Sequence, residues 1–175
     1  METPNITSER LRLRPILMDD IEFVFKLFSR SETNRYSEYP DLKTREEAVE
    51  MYEKYMKPGG EGKFRVMIES QSGEPMGTIG IYAYSKEHKR AEVGYDLMRE
   101  HWGKGYMTEA VEALVSYGFD ALGLERIEAT VDPENVASMR VLEKSGFQHE
   151  GTLRKRFHYK GGWHDELCFG RLKDS

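Results

Sequence analysis

Trp102-Gly103-Lys104-Gly105-Tyr106-Met107-Thr108-Glu109-Ala110 follows an alternating stretch, Ala91–Met98, and opens a segment in which Met107, Ala110, Val111, Leu114, Val115 and Phe119 recur at helical spacing. The pattern predicts a strand, a short loop over Glu100–Gly105, and an amphipathic helix running to Gly123. Glycine lets the backbone turn tightly and brings amide protons close to a ligand. The first turn of a helix has N–H groups without carbonyl partners and the positive end of the helix dipole. Such a junction suits an anion, most often a phosphate.

Several readings of this loop stand open. A nucleoside-triphosphate loop needs GxxxxGK[ST], which is absent. The dinucleotide fingerprint GxGxxG begins with Gly103 and Gly105 but meets Thr108 at its third glycine. Glu125 stands near where that fold wants an acid, yet helices and strands precede the loop, whereas the fingerprint belongs in an opening βαβ unit. A pyrophosphate loop for coenzyme A is a third reading, and a plain strand-to-helix turn a fourth.

Working outward, Ile6–Pro15 alternates as one strand, with Leu11 and Leu13 set between Arg10, Arg12 and Arg14. Asp19-Asp20 opens a helix carrying Ile21, Phe23, Val24, Leu27 and Phe28. Ser29–Lys43 reads as a loop. Thr44 with Glu47 forms a capping box for a second helix, which ends before Pro58-Gly59-Gly60. Phe64–Glu69 and Met76–Tyr84 form a hairpin around Ser72-Gly73-Glu74-Pro75, and Lys86–Arg90 is a charged turn. Behind the glycine loop and its helix come a strand over Arg126–Val131, a loop over Asp132–Asn135, a helix stopped by Gly146, and two strands, Gln148–Tyr159 and Trp163–Leu172, joined at Gly161-Gly162. No repeat or linker interrupts this order, which predicts a single α+β domain over residues 1–175.

The chain has 175 residues, with 26 Lys and Arg against 31 Asp and Glu, a formal charge of −5. That balance argues against a direct nucleic-acid partner, which needs a basic surface to displace counterions. One cysteine, Cys168, rules out an internal disulfide framework and CxxC zinc sites. No apolar run approaches the ~20 residues that span a bilayer, and Met1-Glu2-Thr3-Pro4-Asn5 has no signal-peptide pattern. No membrane partner and a cytoplasmic location are expected. The histidines His88, His101, His149, His158 and His164 form neither HxxxH nor HExxH, so no metal is expected. Cys168 reads as a structural thiol, and Arg154-Lys155-Arg156 as charge on a strand edge.

Glu92-Val93-Gly94-Tyr95, Trp102 through Tyr106, Thr108-Glu109-Ala110, Asn135-Val136-Ala137-Ser138 and Leu142-Glu143-Lys144-Ser145-Gly146-Phe147, in that order and spacing, resemble the GNAT N-acetyltransferase superfamily. Within it the chain is similar to the RimJ/RimL-like branch, whose named members acetylate N-terminal amines of ribosomal proteins. The resemblance implies a mixed, mostly antiparallel central sheet with helices on both faces. A central strand pair, here Ala91–Met98 and Arg126–Val131, would splay to admit the pantetheine arm of acetyl-CoA. It implies pantetheine pairing with Tyr95, Leu97 and Met98, and pyrophosphate on the amides of Gly103, Lys104, Gly105, Tyr106 and Met107. His101, Asn135 and Lys144 would stand near the cofactor, Lys144 by its 3′-phosphate. The family loop usually begins with Gln or Arg; Glu100 stands there, and has to point away or be neutralised, with Lys104 as the nearby candidate.

Acetyl transfer to an amine needs a neutral nitrogen, a donor for the carbonyl oxygen and stabilisation of the leaving thiolate. The resemblance assigns the base to Glu92, directly or through water, with Asp96 as the fallback on the same strand face. The family's usual tyrosine acid on the following helix is Leu142 here. Ser138, one turn earlier, takes its place as the thiolate donor, and a backbone N–H near Leu97 would meet the carbonyl oxygen. The expected acceptor is a protein N-terminal α-amine, with a small amine, amino acid or antibiotic as the alternative and a non-catalytic coenzyme A-binding module as the other reading; the acceptor would lie between Phe28–Met56 and His158–His164, where Tyr36, Tyr39, Tyr52 and Tyr55 gather. A monomer or homodimer is expected.

Overall fold

The computed structural model describes residues 2–59 and 62–174. Strands β1 (Ile6–Thr7), β2 (Leu11–Pro15), β3 (Phe64–Ser70), β4 (Pro75–Ser85), β5 (Arg90–Leu97), β6 (Arg126–Val131), β7 (Gln148–Tyr159) and β8 (Gly162–Leu172) form one sheet in the order β1-β2-β3-β4-β5-β6-β8-β7. Every neighbouring pair is antiparallel except β5 with β6. The expected α+β architecture is present, with one correction at its start. Ile6–Pro15 is two short strands, because the Ser8 N–H closes a tight turn on the Leu11 carbonyl at 3.0 Å.

Helices cover both faces because the strands alternate. α3 (Tyr106–Asp120) and α4 (Val136–Lys144) lie on one face, over a core that includes Leu13, Val66, Ile79, Val93, Ile127 and Phe169. The helical repeat expected for α3 is the face it buries: Met107, Ala110, Val111, Leu114, Val115 and Phe119. α1 (Ile21–Phe28) and α2 (Arg45–Met51) cover the other face with Ile16, Met67 and Met98. Thr44 caps α2 as its capping box predicts: its hydroxyl accepts the Glu47 N–H at 3.2 Å, and the Glu47 carboxylate accepts the Thr44 N–H at 3.3 Å. A π-helical turn, Tyr52–Met56, extends α2. Gly60 of the expected stop lies outside the described residues.

On the α1–α2 face the middle of the sheet is polar. Gly80 pairs with both Arg65 and Gly94. Their missing side chains leave the room in which Arg65 and Tyr82 lie: a Cβ at Gly94 would stand 3.2 Å from the Tyr82 ring. A Cβ at Gly80 would collide with the Phe64 carbonyl oxygen, which is backbone and has little freedom to yield. Gly80→Ala is therefore expected to destabilise the fold by about 1–3 kcal/mol, as overpacking does. At about 2–4 °C of melting temperature per kcal/mol for a domain of this size, thermal unfolding reads the effect; an unchanged melting temperature would contradict the register given for β3 and β4.

Candidate functional site

The pairing of β5 with β6 covers only Arg90, Ala91 and Glu92 against Arg126, Ile127 and Glu128. Beyond that point β5 runs on to Leu97 and β6 to Val131 without pairing, while β6 stays bonded to β8 throughout its length. The expected splay is present. The Met98 N–H donates to the Met76 carbonyl of β4 at 2.9 Å. Antiparallel ladders alternate, so Asp96 and Gly94 also turn their backbone groups to β4, and Tyr95 and Leu97 turn theirs into the slot. Met98 is thus corrected: its amide is committed to β4. The Leu97 carbonyl accepts the Trp102 indole N–H at 2.7 Å, which ties the glycine loop to the end of the strand.

At the mouth of the slot Gly103 (φ 72°) and Gly105 (φ 79°) both take left-handed backbone, and Gly105 is the N-cap of α3. Among the described residues, none of the amides from Gly103 to Thr108 has a hydrogen-bond partner. Consecutive free N–H groups at a helix start are what an anion requires, so the loop fits a diphosphate. Arg10 braces it from β2's turn. Its Nη1 donates to the Lys104 carbonyl at 3.0 Å, its Nε to Glu109 Oε2 at 2.6 Å, and its guanidinium lies over the Tyr106 ring at 4.7 Å. Burial works against the Glu109 carboxylate, but hydrogen bonds from the Arg10 N–H, the Ser8 hydroxyl and the Arg10 guanidinium hold its pKa below the ordinary value.

Glu100 is neutralised, though not by Lys104. Arg30 Nη1 from the far side of the sheet donates to its carboxylate at 2.9 Å, while Lys104 Nζ donates to the Glu100 carbonyl at 2.9 Å. His101 packs below the loop, edge-on to Tyr106 at 6.2 Å with Nε2 3.8 Å from Glu74. Lys144 shares with Gly105 and Thr108 the wall of an open groove of about 990 Å³ that runs along α3.

Two side chains approach the point where the strands part from opposite faces. Glu92 shares the α1–α2 face with Gly94 and Asp96, and its carboxylate has no hydrogen bond or ion pair among the described residues. Ser138 stands in the first turn of α4, whose N-cap Asn135 accepts the Ser138 N–H at 3.1 Å, as a cap should. Leu142 is buried in the core. Asp96 is corrected as the fallback base: it is buried in an ion pair with Arg65, which also donates to Tyr82 and, at 2.8 Å, to Thr78. What sequence reasoning missed at Tyr95, read there only for its backbone, is the place of its hydroxyl. Its hydroxyl lies 2.8 Å from the Ser138 hydroxyl, and burial pushes its pKa up to about 12. A polar tip on the apolar Val93–Leu97 strand face was the available signal.

The side facing α1 and α2 is acidic. Burial raises the Glu166 carboxyl above its ordinary pKa; a Thr130 hydrogen bond and Arg156 lower it, while Glu92 and Glu38 raise it further. A cavity of about 360 Å³ is lined by Asp132, Glu134 and Asp165 together with Arg35 and His164, with Tyr36 and Trp163 on its walls. The β7–β8 turn is tied to the loop after α1, since Lys160 Nζ donates to the Asn34 and Arg35 carbonyls. Tyr39 and Tyr55 meet edge to face at 5.5 Å, whereas Tyr52 is core. His158 and His164 do not meet: His158 lies on Trp163, and His164 stacks on Tyr159 at 3.8 Å beside Asp132. No metal-holding cluster occurs among the described residues. No helix there is long and apolar enough to cross a membrane.

Residues 10–148 match the acetyltransferase (GNAT) domain family. The chain is 39% identical to the uncharacterized N-acetyltransferase YoaA of Bacillus subtilis over 97% of each chain. It is 27% identical to the spermidine N(1)-acetyltransferase of Escherichia coli over 92% of this chain and 85% of the other. A GNAT-family acetyltransferase structure from Bacillus anthracis superposes with a TM-score of 0.88 at 30% identity, over 98% of this chain and 100% of that one.

Left-handed backbone costs a residue with a Cβ roughly 1–2 kcal/mol. Gly105→Ala, whose Cβ would also come 3.4 Å from Arg10 Nη2, is expected to weaken coenzyme A binding about five- to tenfold by calorimetry. Unaltered affinity would remove the loop from the binding site.

Proposed function

The chain belongs to the GNAT acetyltransferase family and is an acetyl-CoA-dependent N-acetyltransferase, and we propose that its acceptor is a primary amine on a small polycationic molecule. The observation that carries the acetyl-CoA reading is the parting of β5 and β6 after Glu92 and Glu128 behind a row of free amides. When bound, acetyl-CoA supplies an acetyl thioester. Residues 1–175 act in this reading as one domain. Tyr95 and Leu97 offer backbone groups to the pantetheine amides, as a strand would. The amides of Gly103, Lys104, Gly105, Tyr106 and Met107 hold the pyrophosphate, and the Asn135 side-chain amide, beyond its capping role, reaches the pantetheine.

Glu92 is the base in this reading. Its free carboxylate on the acceptor side takes a proton from the acceptor's ammonium, directly or through water, and leaves the neutral amine to attack. A backbone N–H near Leu97 meets the carbonyl oxygen, and Ser138 donates to the thiolate from the α4 side. The polycationic acceptor is supported by the carboxylates of Glu38, Glu92, Glu166, Asp132, Glu134 and Asp165 around the acceptor side. The likeness to a spermidine acetyltransferase agrees with it.

The second reading is a protein N-terminal α-amine, the substrate class that the RimJ/RimL-like resemblance implies. An α-amine has a pKa near ~8 and is roughly one-tenth neutral at pH 7, so it asks little of a base. Initial rates of thiol release with acetyl-CoA separate the two. Polyamines are expected to give kcat/KM at least about tenfold above peptides of varied N-termini, consistent with multiple charge pairs worth more than one factor of ten. Peptides outrunning polyamines would overturn the first reading in favour of the second.

The base has its own test. An alkyl amine of pKa near ~10 is almost wholly protonated at pH 7, and its neutral fraction rises with pH. Glu92→Gln is expected to lower kcat by about one to two powers of ten at pH 7, with the deficit narrowing as pH rises toward 9. A constant ratio of variant to wild type across pH 6–9, or no deficit, would remove Glu92 from the mechanism.

A further inference from the structure

We propose that the Tyr95 hydroxyl is a positioning group for Ser138: it donates to the Ser138 hydroxyl oxygen and leaves the Ser138 proton to point at the departing sulfur. The inference rests on the reading of Ser138 as the thiolate donor. Tyr95 projects from β5 beyond the last residue paired with β6, and Ser138 comes from the first turn of α4, so their hydrogen bond joins two elements at the head of the slot. The oxygens are 2.8 Å apart, a normal O–H···O length. The Tyr95 hydroxyl also lies 3.4 Å from the Ser138 carbonyl, so both acceptors within its reach belong to Ser138.

The direction of the bond follows from acidity. A phenol is a stronger acid than an aliphatic alcohol, and so the better donor of the pair. Once Ser138 accepts from Tyr95, its own proton is the one free to point elsewhere. Donor chains polarise one another, which strengthens the terminal O–H.

Tyr95 does not give up its proton. Burial pushes its pKa up to about 12, whereas a thiol titrates near ~8.5. Transfer of its proton to the thiolate would therefore run uphill. As the amine nitrogen bonds to the acetyl carbon, the carbon–sulfur bond breaks with its electron pair left on sulfur. The amine's proton goes to Glu92 and on to solvent, and solvent returns one proton to sulfur. Through that sequence Tyr95 and Ser138 keep their protons and act through hydrogen bonds alone.

The test reads the thiol of bound coenzyme A, titrated by its ultraviolet thiolate absorbance in the wild type, Tyr95→Phe, Ser138→Ala and the double variant. Tyr95→Phe keeps the ring, and coenzyme A affinity measured alongside reports the intact slot. The titration midpoint is expected to rise by about one pH unit in each single variant, a tenfold loss of preference for the thiolate. The double variant is expected to match Ser138→Ala, because Tyr95 acts through Ser138. In turnover with the best amine acceptor, Tyr95→Phe is expected to lower kcat about tenfold with the KM for acetyl-CoA within about twofold. Equal midpoints in wild type and Tyr95→Phe, with Ser138→Ala shifted, would overturn the proposal and spare the role of Ser138. Equal midpoints in all proteins would overturn both.

Discussion

A parallel pair of strands that stops bonding after three residues on each side leaves backbone groups of the longer strand without a partner on β6. Buried N–H and C=O groups are costly when unpaired, so the opening beside Tyr95 and Leu97 has to be met by water or by a ligand that offers amides. The rest of the molecule is arranged around this interruption. β6 holds its place because β8 bonds along its whole length, and β5 because β4 does. The slot is therefore held open by its outer neighbours rather than by anything within it. Trp102, reaching back to the Leu97 carbonyl, sets the glycine loop at the end of the same opening.

Charge is distributed to match. The loop itself presents free amides and no side-chain cap, and the one acid in it, Glu100, is turned to Arg30. Arg10 draws its guanidinium charge into Glu109 and the Lys104 carbonyl, which makes it a brace for the loop. On the opposite face the carboxylates of Glu38 and Glu92 lie close enough to raise that of Glu166, with Arg65 kept for Asp96. One side of the slot is thus suited to anions and the other to cations, the division that a reaction between a phosphorylated donor and an ammonium acceptor needs.

Much of this was legible in the sequence because it is local. The periods of β5 and α3, the Thr44–Glu47 box and the paired glycines are short-range patterns, and each stands where its spacing puts it. The misreadings are encounters between distant segments. Nothing near Glu100 says that Arg30 will reach it, and nothing near Asp96 says that Arg65 is buried beside it. Ile6–Pro15 alternates well enough for one strand, yet Ser8 and Arg10 both turn toward Glu109, which breaks it in two. Met98 continues the pattern of β5, but the sense of the ladder commits its amide to β4. Tyr95 was read for its backbone, and the position of its hydroxyl depended on where α4 would lie.

Backbone amide NMR during titration with coenzyme A tests the central claim most directly. The amides of Tyr95, Leu97 and Gly103 through Thr108 are expected to shift together with one dissociation constant, while that of Met98, already bonded to β4, shifts far less. Saturable binding that leaves those amides still and moves others would contradict the account.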